Sequence, residues 1–141
     1  MRGTCPPGKI RSGQNSGLLY LGKSGYHGRA VYYSRFDHAG IWSTSFDHGT
    51  ESLIIEGKPQ VGFWGYWTVT RAGIYFLDSE ADPRPTIRFY NFATRLTSPV
   101  LTLEKRPARL QPSLSATADG KTVYYAQYDR QSVLKMIEFS R

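Results

Sequence analysis

Cysteine is all but absent: Cys5 is the only one in 141 residues. An intrachain disulfide and a cysteine-rich metal site are thereby excluded, and the redox compartment stays open. Long apolar runs are also missing. The longest are a handful of residues, far short of the roughly 20 that span a bilayer as a helix. The N-terminal stretch, with Pro6, Pro7 and Gly8, has no apolar segment of signal-peptide length. Neither an export signal nor a membrane anchor is therefore expected. No run of ten or more residues shows apolar spacing of three and four, so helix content should be low. Acidic residues are lacking from positions 1–36, which hold six bases.

What is present favours strands and turns. Aromatic residues make up 14% of the chain, with ten tyrosines, and fourteen glycines and eight prolines supply turns. The net charge is +7, but the bases are spread through predicted strands and turns. Nucleic-acid binding calls for a clustered basic stripe, so none is expected of this segment. At this length one domain is the default.

Val31-Tyr32-Tyr33-Ser34-Arg35-Phe36-Asp37 matches Val123-Tyr124-Tyr125-Ala126-Gln127-Tyr128-Asp129 at an offset of 92. Gly28-Arg29 and Gly120-Lys121 extend the match backwards. Half that offset is 46, and Gly73-Ile74-Tyr75-Phe76-Leu77-Asp78 lies near the expected middle copy, displaced by a few residues. Ile41, Ile87 and Val133 are spaced by 46 within the strands that follow. Further strands are predicted at 51–56 and 99–104, and preceding ones at 66–70 and 113–117. In the first repeat the candidate first strand is Leu18–Leu21, with a turn-rich break over 22–28. Four short strands per 46 residues is the period of a β-propeller blade.

The expected fold is thus all-β, an incomplete β-propeller of about three four-stranded antiparallel blades, the last with three strands. The blades fall at about 17–56, 64–104 and 112–139, after a flexible lead over 1–16. Three blades do not close a ring comfortably, because propellers typically have four to eight. The segment is therefore expected to be part of a larger propeller, a truncated remnant, or a protomer completed by a partner.

Several stretches carry a family resemblance: Gly40-Ile41-Trp42, Gly65-Tyr66-Trp67, Gly73 to Asp78, Arg88 to Thr94, Leu103-Glu104-Lys105 and Ala118 to Tyr125. Over residues 25–141 the chain resembles the C-terminal end of the TolB-like, WD40-like propeller region of bacterial proteins. The nearest architecture joins an N-terminal winged-helix DNA-binding domain to such a propeller. The family's Ser-Pro-Asp-Gly turn survives as Thr117-Ala118-Asp119-Gly120; in the first repeat the corresponding Gly25-Tyr26-His27-Gly28 lacks the Pro and the Asp. The resemblance implies an interaction or sensing module and no catalytic residue. Neither DNA binding nor membrane anchoring carries over.

Other constellations are weak. Gly3 to Ile10 approaches a phosphate loop, but Ile10 stands where Ser or Thr is needed, and Pro6 and Pro7 offer no N–H. His38 and His48 flank one strand and lie roughly 20 Å apart at about 3.3 Å per residue, too far to share an ion. Asp78, Glu80 and Asp82 alternate like the start of a calcium loop, yet Pro83 replaces the glycine and Phe89 the last acid. No nucleophile elbow is present. No catalytic residue, metal or cofactor is expected.

In a propeller, the loops between second and third strands share one face with the connections between blades. That face would carry Asp37 and His38, Asp82 and Arg84, Asp129 and Arg130, with Lys58, Lys105 and Arg106 nearby. The aromatic run Phe63 to Trp67 is expected to pack between blades, or to set Trp64 or Tyr66 at the channel mouth. The expected function is non-enzymatic binding of a protein partner, of remaining blades, or of a second copy in a homo-oligomer. The alternatives are a propeller serving a prolyl-oligopeptidase-like hydrolase and a non-functional remnant.

Overall fold

The computed structural model describes residues 24–35, 38–47, 49–57, 66–105, 107, 114–127 and 133–139. The predicted lead over 1–16, the Leu18–Leu21 strand and the phosphate-loop-like segment lie outside them. The described residues are all-β and form three antiparallel sheets of consecutive strands. The first sheet comprises β1 (Ser24–His27), β2 (Ala30–Ser34), β3 (Ile41–Ser45) and β4 (Glu51–Ile55). The second comprises β5 (Trp67–Val69), β6 (Gly73–Asp78), β7 (Thr86–Asn91) and β8 (Thr97–Thr102). The third comprises β9 (Leu114–Ala116), β10 (Thr122–Gln127) and β11 (Val133–Glu138). Each is a meander, and β5 lies between β1 and β9. This is the blade arrangement of a β-propeller.

The repeat is visible in the register. In the first sheet Ile41 pairs with Ile55 and Trp42 with Leu53, so a bulge interrupts the pairing after Ile41. In the second, Ile87 pairs with Leu101 and Arg88 with Pro99, with the same bulge. All four positions differ by 46. A bulge places one extra residue on the outer strand and increases the local twist. The displacement of the middle copy also has a cause. Nine residues, 78–86, separate the paired Leu77 and Ile87, whereas six, 35–40, separate Ser34 and Ile41. The third repeat departs from the spacing: Val133 pairs with Gln127, one residue beyond the partner that an offset of 92 from Ser34 would give it.

The core lies between sheets. Tyr32, Ile41 and Ile55 of the first sheet pack with Trp67, Ile74 and Phe76 of the second. Tyr75, Leu77, Ile87, Phe89 and Leu103 of the second pack with Leu114, Val123 and Tyr125 of the third. Successive side chains of a strand point to opposite faces. A strand covered on both sides must therefore be apolar at every position, and Gly-Ile-Tyr-Phe-Leu in β6 is buried throughout. The predicted alternation at the start of β5 appears here too: Trp67 and Val69 face the first sheet, while Tyr66 packs against the cluster shared with the third.

One sequence expectation requires correction. The turn-rich break over 22–28 contains β1, because Gly28 and Arg29 form a tight loop that pairs His27 with Ala30. Gly28 has φ +58°, which glycine adopts at no steric cost. The neighbouring strand thus overrides a Gly- and Ser-rich composition. Gly73, at the start of β6, is not among the positive-φ glycines. Its role is close approach: a Cβ there would collide with the Tyr90 carbonyl oxygen and lie 2.6 Å from the Phe89 ring.

Ile74→Ala removes a fully buried side chain between the first two sheets. It should cost about 2–5 kcal/mol in denaturant unfolding. Leu96→Ala, at a position 69% exposed, should change stability by less than about 0.5 kcal/mol. Equal effects would contradict this core.

Candidate functional site

The end of the sheets that holds the β2–β3, β6–β7 and β10–β11 connections carries the predicted face. Of its residues, Asp37, Trp64, Asp129 and Arg130 lie outside the described residues, as do Lys58 and Arg106. His38, Asp82 and Arg84 are exposed. His38 meets the Trp42 ring edge-on at 6.3 Å between centroids. Tyr66 is half-buried, and its carbonyl accepts a hydrogen bond from the Leu77 N–H at 2.9 Å. It lines a void with Leu77, Leu103, Pro107, Leu114 and Tyr125, no larger than one water molecule.

The β6–β7 loop is the best-defined part of this end. Its base is fixed from both strands. The Arg88 guanidinium lies 3.0 Å from Asp78 Oδ2, with both side chains partly shielded from solvent. Asp78 Oδ1 accepts the Glu80 N–H at 3.3 Å. The Thr86 hydroxyl donates to the Arg84 carbonyl at 3.0 Å, and the Leu103 N–H donates to Pro85 O at 2.8 Å. Asp78 is thus engaged as a structural acid. Among the described residues no group of three His, Cys, Asp or Glu side chains is arranged to hold a metal ion. Asp82, Pro83 and Arg84 are exposed at the tip, so a negative and a positive charge stand side by side on an anchored loop.

One polar cluster was not found from the sequence. Arg35 Nη1 lies 3.1 Å from Glu51 Oε2, and the guanidinium sits 5.1 Å above the Trp42 ring. Cation–π contact and ion pairing together hold Arg35 in place. These residues come from β3, β4 and the end of β2, so only the pairing of Tyr33 with Trp42, and of Trp42 with Leu53, brings them together. No local motif announces such a cluster. Burial pushes the Tyr33 hydroxyl well above the usual tyrosine range, and the Glu51 carboxylate adds to the effect. Burial likewise raises Tyr32, with a smaller contribution from Tyr90.

At the opposite end the sheets are tied together. The Tyr75 hydroxyl donates to Gly120 O at 3.0 Å, and the Arg71 N–H donates to Ala118 O at 3.1 Å. The turn that receives them is built on Asp119. Its Oδ1 accepts the Thr117 hydroxyl at 2.6 Å and the Lys121 N–H at 3.0 Å, which lowers its carboxyl pKa. Gly120 takes φ +71°. This explains why Asp-Gly persists in the turn although its proline is replaced.

No protein-family model matches the sequence, and no curated protein does. Among solved structures, the chain is similar to TolB from Acinetobacter baumannii, with TM-score 0.60 and 16% identity over 79% of this chain. It spans 27% of that chain. It is also similar to the tricorn protease, with TM-score 0.50 and 17% identity, covering 81% of this chain and 11% of that one. At these identities the likeness establishes the fold.

Because Tyr32 and Tyr33 titrate higher when folded than when unfolded, their burial leaves stability unaffected by pH below the ordinary tyrosine range. Stability should fall as pH rises from about 10 toward their folded values. Denaturant midpoints at pH 9 and 11 should show this fall, and Tyr33→Phe should reduce it. A fall of the same size in that variant would contradict the assignment.

Proposed function

We propose that this chain is a non-enzymatic interaction module that engages a protein partner through the loop end of its blades, as the sensing or binding part of a larger regulatory protein. The observation that carries the proposal is the β6–β7 loop. Ordering a loop before binding removes an entropic cost from association. Here the ion pair of Asp78 with Arg88 and the hydrogen bonds of Thr86 and Leu103 fix the base, while Asp82 and Arg84 remain exposed. Such a scaffold-borne loop is where binding residues concentrate. A side-by-side acid and base suits a polar partner surface of mixed charge, for which rim charges set specificity and association rate.

His38 stands at the equivalent end of the first sheet and extends the same face toward the β2–β3 connection. Asp129 and Arg130 belong to the corresponding sequence position in the third repeat. Among the described residues, His38, Asp82 and Arg84 place polar and charged groups on two blades.

The double variant Asp82→Ala/Arg84→Ala should keep the wild-type melting temperature and lose about tenfold or more in affinity for a partner identified by affinity capture and mass spectrometry. Unchanged affinity would place binding elsewhere. Turnover of a peptide or ester panel by the purified chain would overturn the non-enzymatic reading.

A further inference from the structure

At the end opposite the loop face, the turns between third and fourth strands repeat from the first sheet to the second. In the first sheet the Gly49 N–H donates to Ser45 O at 3.1 Å, and the Asp47 N–H donates to Ser45 Oγ at 3.2 Å. In the second sheet, 46 residues on, the Arg95 N–H donates to Asn91 O at 2.8 Å, and the Ala93 N–H donates to Asn91 Oδ1 at 2.8 Å. Gly49 takes φ +61° and Arg95 takes φ +58°. The same turn thus holds glycine in one sheet and arginine in the other. Glycine adopts this conformation freely, whereas in an L residue Cβ crowds the following carbonyl oxygen. Among the described residues Arg95 is the one non-glycine residue with positive φ. Such strain concentrates at functional positions, where a side chain is kept despite its cost to the backbone.

The two sheet ends also differ in charge. In the first sheet Arg29, before β2, and Asp47, after β3, form an ion pair. The counterpart of Arg29 is Ala72, whose carbonyl accepts the Phe92 N–H as that of Arg29 accepts the Phe46 N–H, each at 3.0 Å. The counterpart of Asp47 is Ala93, 46 residues on. The second sheet therefore lacks the neutralising pair. Instead it exposes Arg71 and Arg95, neither of which joins an ion pair among the described residues. Asp119, the acid of the adjoining β9–β10 turn, is engaged by Thr117 and Lys121. Leu96 stands beside Arg95 and is 69% exposed. The base of the turn is fixed, because Phe92 packs on His27 and Tyr32 with ring centroids 4.5 and 5.3 Å apart.

We propose that the β7–β8 turn is a second interaction surface, on which Arg95 and Arg71 engage the carboxylates of an acidic protein segment and Leu96 contacts an apolar side chain within it. Arginine offers a carboxylate two parallel N–H donors. A turn already closed by its own hydrogen bonds loses little freedom on binding. Two cations beside an exposed leucine suit a short acidic and apolar segment, whereas a nucleic acid calls for a clustered basic stripe. This surface lies at the opposite end of the sheets from Asp82 and Arg84 and is independent of what the loop end binds.

Fluorescence anisotropy of the full chain with a labelled peptide of alternating glutamate and leucine tests this. The wild-type chain should bind that peptide, more weakly as salt is raised, and should not bind its lysine–leucine counterpart. Arg95→Gly should melt no lower than wild type, because glycine suits the turn, yet lose about tenfold in affinity. Arg95→Lys keeps the charge and should bind better than Arg95→Gly. Leu96→Ala should keep the wild-type melting temperature and bind more weakly. The proposal would be overturned by no binding of the acidic peptide, by equal binding of the lysine–leucine peptide, or by unchanged affinity in Arg95→Gly. A lower melting temperature in Arg95→Gly, or Arg95-dependent binding of phosphatidylserine vesicles in place of the peptide, would overturn it equally.

Discussion

Alternate side chains of β6 are buried against different sheets, Ile74 and Phe76 against the first and Tyr75 and Leu77 against the third. Everything else in the structure depends on that double burial. Each such side chain contributes about 1.5–3 kcal/mol when withdrawn from water, and neither face of β6 supplies this alone. The middle sheet is therefore stable only with both neighbours in place. The same constraint fixes Gly73, where the β7 backbone and the Phe89 ring approach too closely for a side chain.

The polar contacts serve this packing at its ends. Tyr75 reaches across to the Gly120 carbonyl, so an aromatic ring in the core also ties two blades by its hydroxyl. Asp119 shapes the turn that presents that carbonyl. At the other end Asp78 and Arg88 anchor the loop that displays Asp82 and Arg84. In the function proposed above, this anchored, exposed loop is the part that would meet a polar partner.

Much of the architecture was legible because the repeat is written in residue identity. Gly28 and Gly120, Val31-Tyr32-Tyr33 and its later copy, and the 46-residue spacing of Ile41 and Ile87 reflect equivalent places in equivalent sheets. The continuous apolar run in β6 was legible as a strand. Its burial on two sides was not, because that depends on what lies on either side. β1 was missed because Ser24 and Gly25 have weak strand preference, and it is pairing with β2 that makes them a strand. The one-residue change of register in the third repeat comes from a shorter β10–β11 connection, to which residue spacing alone is blind. Arg35, Trp42 and Glu51 escaped notice because three strands must pair before they meet. The loop-face residues were legible only as positions in a repeat, since neither a charge nor an aromatic residue in a loop carries a motif.

If the three sheets form one cooperative unit held through the middle blade, their stabilities cannot be separated. Native-state hydrogen exchange, followed amide by amide at increasing denaturant, reads this directly. The account predicts that the β6 amides exchange most slowly, and that β2, β6 and β10 converge on a single global unfolding free energy. Exchange of β6 as fast as that of the outer strand β4, or separate unfolding free energies for the three sheets, would contradict it.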